Sequence, residues 1–481
     1  MSSSSEIDGP CPNGDVQQLA TSNPEHEKTA LSRGLTTRHI QFIALGSAIG
    51  TGLFLGSAGA IQMAGPAVLL AYLASGAAVY MVMRALGEMS LRDPLKGGSF
   101  SRYAHEHLGS TVGFTMGWLF ILEMLVVAMA DVTAFATYLG RWFPAVPAWA
   151  WIVLAISLVT LLNMVHVKVF GETEFWLSTI KVLAVIAMIV AGIFILVFHL
   201  GSPTGAPTGV QNLWDHGGFA PNGIMGVLFS LTIVVFAFGG VETLGLASAE
   251  AKDPGKAVPR AIKTIPVRIL LFYIGAVGVM LCLAPWSDIT SETSPFVQIF
   301  DLVGLPAAAD VLNFIVVTAA FSGLNGVTFS IGRMLHGLAE LGDAPRRLAH
   351  TSGRGTPVAA ILMVAVALGV VLVLGLIIPE GVFMMVASIA SFATVFVWLL
   401  ILASHIAMKR RIARGEIEQG PFPVPMWPFA SWAAVLFIVG VIVLLGIDEP
   451  SRPALIVGAV TTALLVVIER LVRHRRASHQ G

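Results

Sequence analysis

Gly46-Ser47-Ala48-Ile49-Gly50-Thr51-Gly52 places three glycines within seven residues of an otherwise apolar stretch. Glycine costs roughly 0.8–1 kcal/mol relative to alanine in a helix interior, so this spacing predicts a helix that opens here. The rest of the chain is no place for open backbone. Of its 481 residues, 56% are hydrophobic and 12% charged, and the mean hydropathy is +0.82. Such a composition belongs to a membrane protein. Unwound main chain inside a bilayer is tolerated only where it lines a cavity and finds polar partners. The stretch therefore predicts an internal site, with freed N–H and C=O groups turned toward a polar ligand.

Twelve apolar stretches recur along the chain, each near the roughly 20 residues that cross a hydrocarbon layer of about 30 Å. They predict an all-α integral membrane protein of twelve crossings. Residues 40–60 form span one, 67–86 span two, 112–139 span three, 149–169 span four, 175–198 span five, 223–247 span six, 266–285 span seven, 307–334 span eight, 357–378 span nine, 382–408 span ten, 429–447 span eleven and 453–471 span twelve. Residues 1–38 contain Ser, Asn, Pro and Glu without an apolar core, which reads as a disordered cytoplasmic tail rather than a signal or transit peptide. Cys11 in that tail and Cys282 in an apolar run give no disulfide framework, and the 12 histidines show no metal spacing. No metal and no cofactor is expected.

Charge placement predicts orientation. Formal net charge is zero, which gives no indication of nucleic acid as a partner. Lys and Arg gather in alternate loops, as at Lys252, Lys256, Arg260 and Lys263, while the intervening loops carry almost none. Only Arg141 and Arg452 fall on the opposite side, and Lys181 falls within a span. By the positive-inside rule both termini are expected in the cytoplasm, with the chain in a cell inner membrane.

A second interruption, Phe236-Ala237-Phe238-Gly239-Gly240, lies in span six and mirrors the first. Paired glycine-broken segments in corresponding positions predict inverted repeats with a site at their interface. The first repeat would occupy 39–200 and the second 201–408, followed by two peripheral spans in 409–472 and a short tail, 473–481. Several motifs then resemble a known family. Arg33-Gly34-Leu35, Ala64-Gly65-Pro66, Gly87-Glu88, Gly97-Gly98-Ser99-Phe100 and Glu250-Ala251-Lys252-Asp253-Pro254 are similar to signatures of the amino acid permeases of the amino acid-polyamine-organocation superfamily. Residues 120–123, 130–134 and 332–337 resemble most the bacterial proline-specific permeases. Ser47 departs from the glycine of many relatives; it keeps the backbone contacts possible while narrowing or polarising the site.

The resemblance implies a 5+5 core with spans one and six broken, and an amino acid as ligand. Its carboxylate would meet the N–H groups of Thr51 and Gly52 and the Thr51 hydroxyl, at a half-helix start whose dipole favours an anion. Its ammonium would donate to carbonyls at Ala48, Phe236 and Gly239, and the Phe236 ring would gate the outer route. Close helix packing is the plainer reading of any single glycine cluster.

Lys181 stands near the middle of span five, where an ammonium costs on the order of 2.5–3.5 kcal/mol on insertion scales. It is expected to bond carbonyls of the span-one break when protonated and release them when neutral, coupling transport to a proton. A permanently charged strut is the structural alternative. Glu123 and Asp131 lie eight residues, near two turns, apart in span three, and Glu242 follows the span-six break. Intramembrane carboxylates default to function, so Glu123 and Glu242 join the proton-coupling set, while Asp131 is placed in a hydrated position nearer the outer mouth. Asn325, Ser388 and Ser391 are candidates to face the cavity, with interhelical hydrogen bonding as the plainer role. Glu250, in a charged loop, is expected to pair with a basic residue and gate the inner side.

Together these residues predict a proton-coupled secondary transporter that imports amino acids by alternating access. Its partners would be the amino acid, the proton and the lipid bilayer, with no obligatory protein partner. Proline or another neutral amino acid is favoured; histidine, threonine, GABA and aromatic amino acids stay open as substrates. No nucleophile–base grouping suggests an enzyme, and no pore-ring charge or filter loop suggests a channel. A non-transporting amino acid sensor is the alternative from another class.

Overall fold

Span one is not a continuous helix. In the computed structural model, helix Thr37–Ala48 stops, Gly50 bends the chain, and Thr51–Phe54 starts afresh ahead of Gly56–Ala64. Span six breaks as well. Helix Gly223–Val234 tightens into the 3₁₀ turn Val235–Phe238, and helix resumes only at Thr243–Ser248. Gly240 between them has φ 90°, a conformation open to glycine because it has no Cβ. The structure describes residues 31–48, 50–54, 56–92, 99–199, 208–290, 294–302, 306–377 and 382–478.

Among the described residues, each of the twelve predicted stretches is mostly helical. Among the described residues, nine helices are long and apolar enough to cross a membrane, and Ala148–Met164 and Val358–Val370 are apolar but shorter. One of the nine, Gly56–Arg92, joins the end of span one to span two, although Gly65 at φ 59° turns the chain between them. The described residues form no strand ladder, only an isolated bridge between Leu35 and Ala251.

Three boundaries differ from the sequence reading. Span five starts at Val167 rather than 175, so Glu172 and Glu174 belong to helix Val167–Val197 and not to a loop. Residues 31–38, assigned to a disordered tail, are ordered. Leu35 is fully buried, its N–H donates to the Glu250 carbonyl at 2.9 Å, and its own carbonyl accepts the Lys252 N–H at 2.8 Å. So short an extended segment carries no periodicity to announce it. Helix Arg452–Ser478 likewise runs on through most of the expected tail, 473–481; residues 1–30 and 479–481 lie outside the described part.

Span eight, Pro306–Glu340, packs most extensively along span three, Ser110–Gly140. Small residues allow the approach: a Cβ on Gly117 would lie 2.7 Å from Leu338. Burial separates centre from edge. In the apolar windows, 72% of Asp310–Glu340 is buried, against 28% of Phe429–Ile447 and 11% of Arg452–His474. Leu436, Val443, Leu464 and Val467 on those last two helices are exposed, an apolar outer face suited to a hydrocarbon solvent in which the helix satisfies its own backbone.

Candidate functional site

The two broken spans meet main chain to main chain. A Cβ on Gly52 would lie 2.6 Å from the Ala237 Cα and 3.3 Å from the Phe236 carbonyl oxygen, so only glycine permits the contact. A cavity opens around it, with about 620 Å³ of unfilled space counting the solvent it joins. Gly46, Gly50 and Gly52 line one side and Phe236, Gly239 and Gly240 the other. Thr51 and Gly52 begin the half-helix Thr51–Phe54, so their N–H groups lack intrahelical acceptors. Across the gap, the Phe236 carbonyl already accepts the Gly239 N–H at 3.0 Å, which leaves it one lone pair. The side chains of Ala48, Thr51 and Ser388 lie outside the described part of the structure.

Lys181 is fully buried and donates to the Gly46 carbonyl at 2.8 Å. That carbonyl is one of the last four of helix Thr37–Ala48, which no intrahelical N–H can reach. Glu174 and Asp131 are its electrostatic neighbours. Glu174 accepts the Ser322 hydroxyl at 2.5 Å, the Ser178 hydroxyl at 3.2 Å and the Asn325 amide at 3.3 Å. This acid was absent from the sequence candidates. Its signal was the i, i+4, i+7 alignment of Glu174, Ser178 and Lys181 on one helix face.

Three candidates sit elsewhere than expected. Asn325 is turned away from the cavity: its oxygen accepts the Asn163 amide at 2.9 Å and its own amide goes to Glu174, which ties spans four, five and eight together. Ser322, one turn earlier, lines the cavity instead. Asp131 is not hydrated near an outer mouth; it is 1% exposed, lies against Gly323 and lines the cavity. Ser391 is buried on span ten, outside the cavity lining.

Glu123 and Glu242 are both fully buried and interact with each other. Thr394 donates to Glu123 at 2.6 Å, while the Trp398 indole at 3.3 Å and the Gly240 N–H at 3.4 Å reach Glu242. All three of those donors are neutral. A second missed residue, Tyr273, donates to the Ala237 carbonyl at 2.9 Å from the π-helical turn Ile269–Gly275. Nothing in the apolar run of span seven announced that turn, although such bulges gather at functional sites.

Below the cavity, Glu250 accepts from the Arg333 guanidinium at 2.7 Å, with both side chains buried. Arg333 lies 4.0 Å over the Phe329 ring, which stacks on Phe170 at 4.1 Å, and Phe170 lines the cavity. Burial pushes the Glu250 carboxyl above its usual range, and the guanidinium draws it back only in part. Because Leu35 pairs with the same loop, the segment before span one, the loop after span six and span eight are joined at the end where basic residues gather.

The amino acid permease family model matches residues 39–476. The chain belongs to the amino acid permease family. The permease is 43% identical, over 92% of its length and 96% of the relative, to the uncharacterized amino acid permease YtnA of Bacillus subtilis. It is 42% identical, over 86% of its length and 90% of the relative, to the aromatic amino acid transport protein AroP of Escherichia coli K12. It is also 40% identical, over 94% of its length and 97% of the relative, to the uncharacterized transporter YdgF of Bacillus subtilis. These relatives are transport proteins rather than enzymes, and none of the three is named for proline.

Proposed function

We propose that the permease imports an amino acid across a cell inner membrane, driven by the proton gradient and working by alternating access. The contact of two unwound helices, with Gly52 on Ala237, carries this reading. A zwitterion complements it. The half-helix start at Thr51 and Gly52 offers N–H groups to a carboxylate, and carbonyls at Ala48, Phe236 and Gly239 take the ammonium. Twelve crossings, ten of them in two inverted repeats of five, are the topology this site requires, with both termini cytoplasmic.

Protonated Lys181 holds the Gly46 carbonyl through a charge-assisted bond. Loss of the proton weakens that bond and lets the span-one break relax. Glu123 and Glu242, two like charges in one dry site, share a second proton. The pair adjoins the substrate through Gly239, where a Cβ would lie 3.7 Å from the Glu123 carboxylate. The Glu250–Arg333 pair closes the inner route while the outer one is open, and the Phe236 ring closes the outer route.

The subgroup resemblance favours proline or another neutral amino acid. A second reading, an aromatic amino acid, is favoured by the similarity to AroP and by Gly326, where a Cβ would find no atom within 4 Å. That open space lies in the cavity with Met124 and Val127. Uptake of radiolabelled amino acids into proteoliposomes tests the proposal. An acid-outside gradient should drive accumulation in the wild type, and Lys181→Met should keep exchange of substrate but lose gradient-driven accumulation. Full accumulation in Lys181→Met would reject its coupling role, and wild-type binding without uptake would mark a sensor. Competition by unlabelled amino acids against labelled proline separates the two substrate readings.

A further inference from the structure

A cleft opens between spans three and twelve at the end of the bundle where basic residues gather. Phe114 and Trp118 form one wall, Leu465, Ile468 and Val472 the other, and the loop carrying Asp343 and Arg346 covers its polar end. It holds about 1630 Å³ of unfilled space, its open side included. The wall residues 465, 468 and 472 recur at i, i+3 and i+7, a single apolar stripe about 10 Å long at 1.5 Å per residue. Ile468 is 45% and Val472 37% exposed, on the helix that is least buried of the membrane candidates.

The cleft is fastened at its edges rather than left by two splayed helices. Arg473 reaches Ser110 and pairs with Glu469, Thr111 donates to Glu469 at 2.9 Å, and the Trp118 indole donates to the Asp343 carbonyl at 3.3 Å. At the polar end Arg346 and Arg347 are both exposed. Arg346 lines the cleft together with Asp343, and Arg347 lies just outside the lining. An apolar slot that ends at Arg346, with the exposed Arg347 next to it in the chain, matches an acyl chain followed by a phosphate.

We infer that this cleft holds one anionic phospholipid, its acyl chain along the 465–472 stripe and its phosphate at Arg346 and Arg347. Native mass spectrometry of the delipidated full-length protein, with phosphatidylglycerol or phosphatidylcholine added back, tests this. One phosphatidylglycerol should be retained in preference to phosphatidylcholine. Arg346→Gln should weaken retention about fivefold, and Arg346→Gln with Arg347→Gln further. Leu465→Trp fills the slot while keeping both arginines, and should also lose the lipid. Arg470→Gln removes a charge on the same helix outside the lining and should leave retention unchanged. Equal retention of phosphatidylcholine, equal retention by the double glutamine variant, or displacement by inorganic phosphate would overturn the assignment.

Discussion

Gly52 and Gly326 both line the cavity yet predict opposite responses to an added methyl group. At Gly52 the new Cβ meets backbone at 2.6 Å, and overpacking of this kind costs about 1–3 kcal/mol. Gly52→Ala should push the two breaks apart and cut initial uptake rates at least about fivefold, with the expressed level of protein little changed. At Gly326 no atom stands within 4 Å. Gly326→Ala should transport as the wild type does, whereas Gly326→Leu should slow phenylalanine uptake relative to alanine uptake. Glu242→Gln keeps a similar shape but cannot ionise, so uptake should lose part of its dependence on external pH. An unchanged pH profile would remove the carboxyl pair from coupling. The burial of Lys181, Glu123 and Glu242 within the bundle was legible in the sequence, because a charge inside an apolar stretch is costly and therefore conspicuous. Glu174 was not, since its helix begins at Val167 among polar residues where a carboxylate is ordinary. Asn325 was misread for another reason: flanking glycines reveal a close approach but not which way the amide turns.

At the scale of elements, the breaks in spans one and six were legible because glycine opposes helix. The extended segment at Leu35 and the π-helical turn in span seven have no comparable signature. The proposed inner seal involves one of these unannounced elements, since Leu35 and Lys252 pair beside the Glu250–Arg333 contact. Removing one partner of a buried ion pair costs about 3–5 kcal/mol, so Arg333→Ala should lower thermal stability in detergent by more than Arg347→Ala, which removes an exposed charge. The seal also has a pH sign. Burial raises the Glu250 carboxyl above the ordinary carboxylate range, so the closed arrangement is favoured most when pH is within or below that range and loses this contribution as pH rises through the raised value. Thiol labelling of Val327→Cys in a cysteine-free background should therefore speed up with pH from the inner side. The introduced thiol also ionises as pH rises, which speeds labelling in every variant, so Glu250→Gln should remove only the acceleration beyond that; persistence of this excess would place the titrating group elsewhere.

For the whole molecule, composition and the recurrence of apolar stretches were enough to place the chain in a bilayer, and the structure adds which helices carry exposed apolar faces. Phe429–Ile447 and Arg452–His474 are the least buried because, among the described residues, nothing packs over their outer faces. Substrate identity was not legible at this scale. The proposed site, which would read a zwitterion through main chain, leaves side-chain choice to a few lining residues such as Met124, Val127 and Gly326, whose positions depend on how spans three and eight pack. The most direct measurement is a density map of the permease in lipid with a transported amino acid bound. The expected map places the carboxylate at the N–H groups of Thr51 and Gly52 and the ammonium toward the carbonyls of Phe236 and Gly239, between two broken helices. An amino acid held away from those breaks, or spans one and six running unbroken past each other with no ligand between them, would contradict it.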